Sequence, residues 1–348
     1  MKALGTMLGK AAGLAAIAVL AAAAVPVDVT VPASVPVQLL RVRQFDFAAG
    51  RTAPVKLAYR TLGVAHRGAD GQVDNAVVLL HGTGGSGAAF LGPDAAMLFG
   101  PGAPLDLRAT YVVIPDAIGM GASSKPSDGL GVNFPHYDYA DIVAGVRATL
   151  AELKVTRAAA VVGVSMGAMV GWTWAETYPR EVGTLVALGA WPTAVAGRNL
   201  LWRLAARDAL LASPLKGGSG ARIAAAITLV GTVPPALLPR LAPDAATAQA
   251  MLDARAAAAG EPLDLAFALD AVRTYAPQGK LAAITASVIE LNFADDILYP
   301  PAEAPPLPSR FTRITVPASA ATSGHATLAS PAVWLPLVAP ALKAALRR

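Results

Sequence analysis

A serine between two glycines is the strongest chemical signal in the sequence. Gly163-Val164-Ser165-Met166-Gly167 directly follows the apolar run 158–162 and precedes a helix-like segment. The glycines leave room for a sharp turn, because a Cβ at either position would crowd it. The N-terminus of the following helix would then face the reacting centre. The pattern predicts that Ser165 is a nucleophile at a strand-to-helix turn; a glycine-rich turn with a bystander serine is the alternative.

A serine hydroxyl is a poor nucleophile unless a base takes its proton, and the chain has four histidines. His325 lies after the last predicted strand, where a base is expected in this chain order. We therefore predict that His325 is the base. His81 is expected to brace a turn and His66 to be solvated. His136 and the adjacent Tyr137 are candidates for lining the substrate pocket.

A carboxylate should orient the imidazole of the base by accepting a hydrogen bond from it. Two neighbouring aspartates, Asp295 and Asp296, follow the predicted strand 287–293. A proline four residues after Asp296 turns the chain away beyond the carboxylate, which favours Asp296 over Asp295. Its expected role is to fix the His325 tautomer and to stabilise the imidazolium. Asp295 is expected to be a solvated loop acid. The predicted triad is thus Ser165, Asp296 and His325.

Backbone N–H groups should stabilise the negative charge on a substrate oxygen. Met166 follows the nucleophile, and Thr83 lies in the glycine-rich segment 81–85 after another predicted strand. We predict that the N–H groups of Thr83 and Met166 form an oxyanion hole; a glycine turn without function is the alternative. The segment is not a phosphate-binding loop, because the G-x-x-x-x-G-K-[ST] pattern is absent.

Short apolar runs alternate with longer helical segments from residue 38 onward, and these elements must position the candidate site. Continuous apolar runs are typical of strands buried on both faces of a parallel sheet. The pattern predicts an α/β fold with a doubly wound, mostly parallel sheet. We expect a core over 38–195 and 284–348, interrupted by a helical lid over 196–283, where no strand is apparent.

The first 24 residues have the composition of an export signal. Lys2 and Lys10 accompany an apolar run that ends in Ala22-Ala23-Ala24, a possible cleavage site. The run is short for a membrane span, which needs roughly 20 residues. We expect a cleaved signal over 1–24, an extended lead-in over 25–37, and a periplasmic or secreted protein without a stable membrane anchor. An uncleaved anchor and a buried Ala-rich helix are the alternatives.

The composition excludes several other classes of protein. Of the 348 residues, 55% are hydrophobic, which excludes disorder. The absence of cysteine excludes disulfides, thiolate zinc sites, iron–sulfur clusters and a cysteine nucleophile. The formal net charge is +5, but lysine and arginine do not cluster with aromatic residues. A nucleic-acid partner is therefore not expected, and no metal-binding arrangement of histidine and acidic residues is apparent.

Five segments carry a specific resemblance to a known family. They are His81-Gly-Thr-Gly-Gly, Pro115-Asp-Ala-Ile-Gly-Met-Gly-Ala-Ser-Ser-Lys-Pro-Ser, Gly163-Val-Ser-Met-Gly-Ala-Met, Ala294-Asp-Asp-Ile-Leu-Tyr-Pro-Pro and Gly324-His325. Over roughly residues 40–348 the chain resembles the α/β-hydrolase superfamily, most closely its homoserine O-acetyltransferase-like branch. The resemblance implies the same triad and a helical lid over the pocket. It also implies a carboxylate-binding arginine in the lid, for which Arg207 is the candidate; a surface arginine paired with Asp208 is the alternative.

We predict an exported serine hydrolase that cleaves carboxylic esters through an acyl-enzyme. The turn reads Gly-Val-Ser-Met-Gly-Ala, whereas the acetyltransferases carry Gly-Gly-Ser-Met-Gly-Gly. An exported enzyme would also lack acetyl-CoA, which is a cytoplasmic metabolite. The expected partner is a small-molecule ester, without a cofactor. The alternatives are acetyl-CoA-dependent acyl transfer to a homoserine-like alcohol and a non-catalytic binding protein on the same scaffold.

Overall fold

An eight-stranded sheet forms the centre of the fold. The computed structural model describes residues 35–347, so the predicted signal over 1–24 and most of the lead-in lie outside the described residues. The strands are β1 (Gln38–Asp46), β2 (Thr52–Gly63), β3 (Ala76–Leu80), β4 (Tyr111–Pro115), β5 (Ala158–Val164), β6 (Val182–Leu188), β7 (Ser287–Phe293) and β8 (Thr312–Val316). Every residue of β3 and β6 is buried, as expected for apolar strands covered on both faces.

The strand order is β1-β2-β4-β3-β5-β6-β7-β8. The pairs β1–β2 and β2–β4 are antiparallel, and the pairs from β4–β3 to β7–β8 are parallel. The predicted doubly wound, mostly parallel sheet is confirmed. Because β3 has β4 on one side and β5 on the other, the connections leave β3 and β5 in opposite directions. Ligands bind at such a switch point, beyond the carboxyl ends of the strands.

Helices cover both faces of the sheet. The helices are α1 (Ala95–Phe99), α2 (Tyr139–Glu152), α3 (Met166–Thr177), α4 (Gly197–Ala212), α5 (Ser219–Thr232), α6 (Leu238–Leu241), α7 (Ala245–Ala258), α8 (Pro262–Asp270) and α9 (Pro331–Ala345). A capping box starts α2, where the side chain of Asp138 accepts hydrogen bonds from the N–H groups of Ala140 and Asp141. No helix in residues 35–347 is both long and apolar enough to cross a membrane.

The lid consists of α4 to α8, between β6 and β7. It has a small core of its own, separate from the two larger clusters that line the sheet. Five of the seven buried residues in this core are alanines, and the full set is Ala206, Leu210, Ala221, Ala224, Ala256, Ala266 and Leu269. The alanines let the helices approach closely. Because alanine is common on both the buried and the exposed faces of these helices, the sequence does not indicate which face of each helix is buried.

Candidate active site

Ser165 lies in a strained turn between β5 and α3. Its backbone has φ 54° and ψ −113°, a left-handed conformation that residues with a Cβ rarely adopt. Glycines on either side make the turn possible: a Cβ on Gly163 would overlap the backbone of Gly167, and one on Gly167 would overlap the carbonyl of Leu80. The N–H of Ser165 is anchored by the carbonyl of Leu188 at 2.8 Å. The turn therefore holds the hydroxyl above the carboxyl end of the sheet.

The structure joins Ser165, His325 and Asp296 in one hydrogen-bonded chain. The Ser165 Oγ lies 2.8 Å from His325 Nε2, and His325 Nδ1 lies 2.7 Å from Asp296 Oδ2. Since the carboxylate can only accept, Nδ1–H donates to it and Nε2 is left to accept the serine proton. Asp296 is 1% exposed, and its second oxygen accepts the N–H of Leu298 at 2.8 Å. This arrangement can activate the hydroxyl for attack on a carbonyl carbon.

The glycine-rich segment after β3 runs beside the serine. A Cβ on Gly82 would lie 3.7 Å from the Cβ of Ser165, so the backbone here is close to the nucleophile. Thr83 lines the same cavity as Ser165, and Met166 is the first residue of α3. The first N–H groups of a helix have no partner within the helix. Thr83 and Met166 therefore both lie at the cavity of Ser165 or next to it, and their role as oxyanion donors stays a prediction.

His81 braces this segment from below, as the sequence suggested. It is 2% exposed, its Nδ1–H donates to the carbonyl of Gly82 at 2.8 Å, and its Nε2 accepts the N–H of Ala117 at 3.0 Å. Burial lowers the pKa of His81. A neutral imidazole suits the site, because protonation of Nε2 would break the bond from Ala117.

A cavity of about 500 Å³ opens above Ser165 and His325. Most of its wall is apolar, with Leu98 and Trp334 on the sheet side and Trp202 and Val233 on the lid side. A cavity of this size and character suits a small organic molecule. Neither Leu98 nor Trp334 carried a signal that would mark it as pocket-lining from sequence alone.

Arg203 of α4 brings an unpaired positive charge to this cavity. It lines the cavity, yet it is only 2% exposed. Its Nε donates to Asn199 Oδ1 at 3.0 Å, and one terminal nitrogen lies 3.5 Å from Thr83 Oγ1. Among the carboxylates of residues 35–347, none forms an ion pair with it at 4.0 Å or closer. The positive charge is therefore held by neutral groups beside the glycine-rich segment.

Two buried phenols near Arg203 do not neutralise it. Burial raises the pKa of Tyr139 to about 12 despite the opposing effect of Arg203, and burial also raises the pKa of Tyr299. Both hydroxyls are therefore protonated at pH 7. A buried cation without an anionic partner is costly, so an anion from a ligand is the natural complement of Arg203.

Three predicted substrate-binding residues do not line this cavity. Arg207 lies one turn beyond Arg203 on α4 and forms ion pairs with Asp208 at 2.8 Å and Asp270 at 2.9 Å. Its charge is already neutralised on the outer side of the lid, as the paired-arginine alternative held. The arginine in the cavity wall is Arg203, one helical turn earlier, because which arginine reaches the cavity depends on how α4 packs against α8.

His136 and Tyr137 also lie outside the cavity wall. The His136 ring stacks on Phe267 at 4.8 Å, and 61% of its side chain is exposed. Tyr137 is 1% exposed and packs against Gly119, where a Cβ would overlap its ring. His136 thus packs on α8, and Tyr137 packs against the loop that contains Gly119. Asp295, expected to be solvated, instead accepts the N–H of Gly324 at 2.9 Å.

Comparisons with known proteins point to the same fold. A family model described as the alpha/beta hydrolase fold matches residues 75–216. A homoserine O-acetyltransferase from Solidesulfovibrio magneticus is 36% identical over 177 residues, which cover 46% of this chain and 43% of that protein. The chain thus spans less than half the length of this curated relative.

Solved structures match over most of the described chain. An acetylester hydrolase from Corynebacterium glutamicum has a TM-score of 0.74 and 17% identity, covering 90% of this chain and 96% of the other. A homoserine o-acetyltransferase from Staphylococcus aureus has a TM-score of 0.73 and 20% identity, covering 89% and 95%. At these identities the likeness demonstrates the shared fold.

Proposed function

We infer that the chain is an α/β-hydrolase similar to the homoserine O-acetyltransferase-like branch, an enzyme of the acyltransferase or esterase kind. We propose that it hydrolyses carboxylic esters through an acyl-enzyme. The observation that carries the proposal is the hydrogen-bonded chain from Ser165 through His325 to Asp296 at the floor of the cavity. Without an acyl-transfer role, there is no evident reason to hold a serine in a strained turn beneath an imidazole.

The proposed reaction has two halves. Ser165 Oγ attacks the ester carbonyl while His325 Nε2 takes its proton, and the imidazolium then protonates the departing alcohol. Asp296 orients the imidazole and stabilises its charge. The N–H groups of Thr83 and Met166 donate to the carbonyl oxygen as it becomes negative. In the second half, water attacks the acyl-enzyme with His325 again acting as the base, and the acid and free Ser165 are released.

Arg203 narrows the proposed substrate class. A cation that is 2% exposed and unpaired in the cavity wall favours a substrate with a carboxylate or another anionic group. The apolar wall at Leu98 and Trp334 favours a hydrocarbon portion in the same substrate. We therefore propose an ester with one apolar part and one anionic part.

The same observation favours a second candidate function, acyl transfer to the hydroxyl of a small amino acid such as homoserine. The carboxylate of such an acceptor would complement Arg203, and the acceptor hydroxyl would replace water in the second half of the reaction. A curated relative is named homoserine O-acetyltransferase, which is consistent with this candidate.

The compartment of the protein would distinguish ester hydrolysis from acetyl-CoA-dependent acyl transfer. Residues 1–24 carry two lysines, an apolar run and an A-x-A site, and we propose that they direct the protein out of the cytoplasm. An exported enzyme would meet water but no acetyl-CoA, which favours hydrolysis. Mass determination of the protein recovered from a periplasmic fraction tests this: cleavage near Ala24 is expected, and an intact cytoplasmic chain would contradict it.

The proposed activity is tested with Ser165→Ala and p-nitrophenyl esters. The wild type should release p-nitrophenol, and the variant should be inactive with an unchanged melting temperature. Activity retained in Ser165→Ala would refute the proposal. A parallel incubation with acetyl-CoA and homoserine distinguishes the two candidates, since CoA release that depends on homoserine identifies transfer.

A further inference from the structure

The backbone next to His325 is held by a carboxylate that the proposed reaction does not use. The N–H of Gly324 donates to Asp295 Oδ2 at 2.9 Å. Other hydrogen bonds near this point stay within the histidine segment: Ser323 N–H donates to Thr327 Oγ1 at 2.7 Å, and Thr327 N–H donates to the carbonyl of Gly324 at 3.0 Å. Asp295 therefore ties the histidine segment to the turn after β7.

Asp295 is poorly suited to a purely stabilising role. Its second oxygen, Oδ1, is buried and has no hydrogen-bond partner in the described part of the chain. A buried carboxylate oxygen without a partner opposes folding. The side chain thus gives up solvation in exchange for one bond, and that bond precedes His325 by a single residue.

Gly324 fits into a space that fixes its position on two sides. Its φ is +57°, and it is buried. A Cβ at this position would lie 2.6 Å from Cγ of Pro234 in the lid and 3.0 Å from the carbonyl oxygen of Asp295. The lid and the turn after β7 therefore enclose Gly324, and the hydrogen bond from its N–H sets the direction in which the chain enters His325.

We propose that Asp295 is a positioning residue for His325, complementary to its neighbour Asp296. Asp296 holds the ring through Nδ1 at 2.7 Å, whereas Asp295 holds the backbone of the preceding residue at 2.9 Å. Two consecutive carboxylates on one turn thus fix both the side chain and the main chain of the base. This keeps Nε2 within reach of Ser165 while the ring changes between neutral and charged forms. The inference rests on the proposed ester hydrolysis.

The experiment compares three substitutions at Asp295 with a matched control. Asp295→Ala removes the acceptor, and because misplacement by about 1 Å can cost about 100-fold in rate, kcat should fall about 10- to 100-fold with KM within about twofold. Asp295→Asn keeps an oxygen that can accept from Gly324, and its kcat should recover to within about threefold of the wild type. Asp70→Ala is the control, since Asp70 accepts the N–H of Gln72 at 3.0 Å in a distant exposed turn; its kcat should be unchanged.

A double-mutant cycle separates positioning from general support of the fold. If Asp295 acts through the base, Asp295→Ala should cause no further loss of rate in a His325→Ala background. Asp295→Glu serves if the alanine variant fails to fold, because it keeps the charge but moves the carboxylate by one methylene. It should lose about 10-fold in kcat at a wild-type melting temperature.

Three results would overturn the inference. They are wild-type kcat in Asp295→Ala or Asp295→Glu, an equal loss of rate in the His325→Ala background, and no recovery in Asp295→Asn. Measuring Ser165→Ala alongside keeps the two proposals apart. Inactive Ser165→Ala with fully active Asp295→Ala refutes only the positioning role, whereas active Ser165→Ala refutes the ester hydrolysis on which it rests.

Discussion

Replacing Arg203 with methionine should make the protein more stable and less active on anionic esters at the same time. The guanidinium is 2% exposed and donates only to neutral groups, Asn199 Oδ1 at 3.0 Å and Thr83 Oγ1 at 3.5 Å. The second distance is too long for a strong hydrogen bond. The Arg203 Cζ also lies 4.9 Å from the centre of the Trp202 ring, but no carboxylate among the described residues pairs with it. Folding therefore removes a charge from water with incomplete compensation, and this desolvation costs several kcal/mol for a typical buried ion.

Methionine at position 203 removes the desolvation cost of the guanidinium and leaves no large cavity and no unpaired acceptor at Asn199. Its flexible side chain can fill the apolar part of the space, and Asn199 Oδ1 still accepts the indole N–H of Trp202 at 3.2 Å. Replacement of buried ion pairs by well-packed apolar residues is often neutral or stabilises proteins by about 1–4 kcal/mol. Within residues 35–347, Arg203 lacks the anionic partner that offsets part of the desolvation cost in such pairs. We expect about 1–3 kcal/mol here, which corresponds to a melting temperature about 2–10 °C higher.

The cost to activity should depend on the charge of the substrate. Hydrogen bonds to charged groups contribute about 1.5–3 kcal/mol, so kcat/KM for an anionic ester should fall about 10- to 100-fold. The assay compares neutral p-nitrophenyl acetate with O-acetylhomoserine, which has its carboxylate on the alcohol, and mono-p-nitrophenyl succinate, which has it on the acyl group. Activity on the neutral ester should stay within about threefold of the wild type.

Arg207→Met is the matched control, because it removes an arginine one turn away that is already paired with Asp208 and Asp270. It should leave the preference for anionic esters unchanged and should not raise the melting temperature. A lower melting temperature in Arg203→Met, or an equal loss of activity on neutral and anionic esters, would refute the reasoning.

Substitutions at Asp296, Trp334 and His81 test three other contacts of the site. Asp296→Asn should lower kcat by about 10⁴-fold with little change in KM on p-nitrophenyl esters, because Asn would favour the wrong tautomer of His325. The Trp334 side chain is 2% exposed and lines the cavity, so Trp334→Ala should lower the free energy of unfolding by about 3–5 kcal/mol in urea titrations. The space it leaves should shift the ester preference toward longer acyl chains. The lowered pKa of His81 means that the unfolded chain binds its proton more readily, so the free energy of unfolding should fall as pH decreases below about 6.5. Urea titrations at pH 5 to 8 should reveal this slope, and His81→Gln should flatten it.

The sheet and the three central residues could be predicted because each leaves a local signal. A parallel strand buried on both faces is a continuous apolar run, and all five residues of β3 are buried as its composition indicates. The turn around Ser165 requires glycines at fixed offsets. With four histidines in the chain, position along the fold was enough to select His325.

The missed features depend on contacts between distant segments. Arg203 and Arg207 lie on the same Ala-rich helix, and the sequence resemblance pointed to Arg207. What distinguishes them is Asp270, on a helix 63 residues away from Arg207, which neutralises one arginine and not the other. Asp295 was assigned to solvent for the same reason, since its partner Gly324 lies 29 residues further along the chain. Neither the Arg207–Asp270 pair nor the Gly324–Asp295 hydrogen bond produces a periodic sequence pattern from which it could be inferred.

The alanine-rich core of the lid has a consequence for how substrates enter. Alanine buries much less apolar surface than leucine, so the five alanines at its centre contribute little free energy to holding the lid helices to one another. The lid should therefore unfold locally far more often than the sheet, and its amide hydrogens should exchange with deuterium while those of β3 to β6 remain protected. Substrates would then reach Ser165 through transient opening of this weakly held layer, at a rate set by side chains that never touch them.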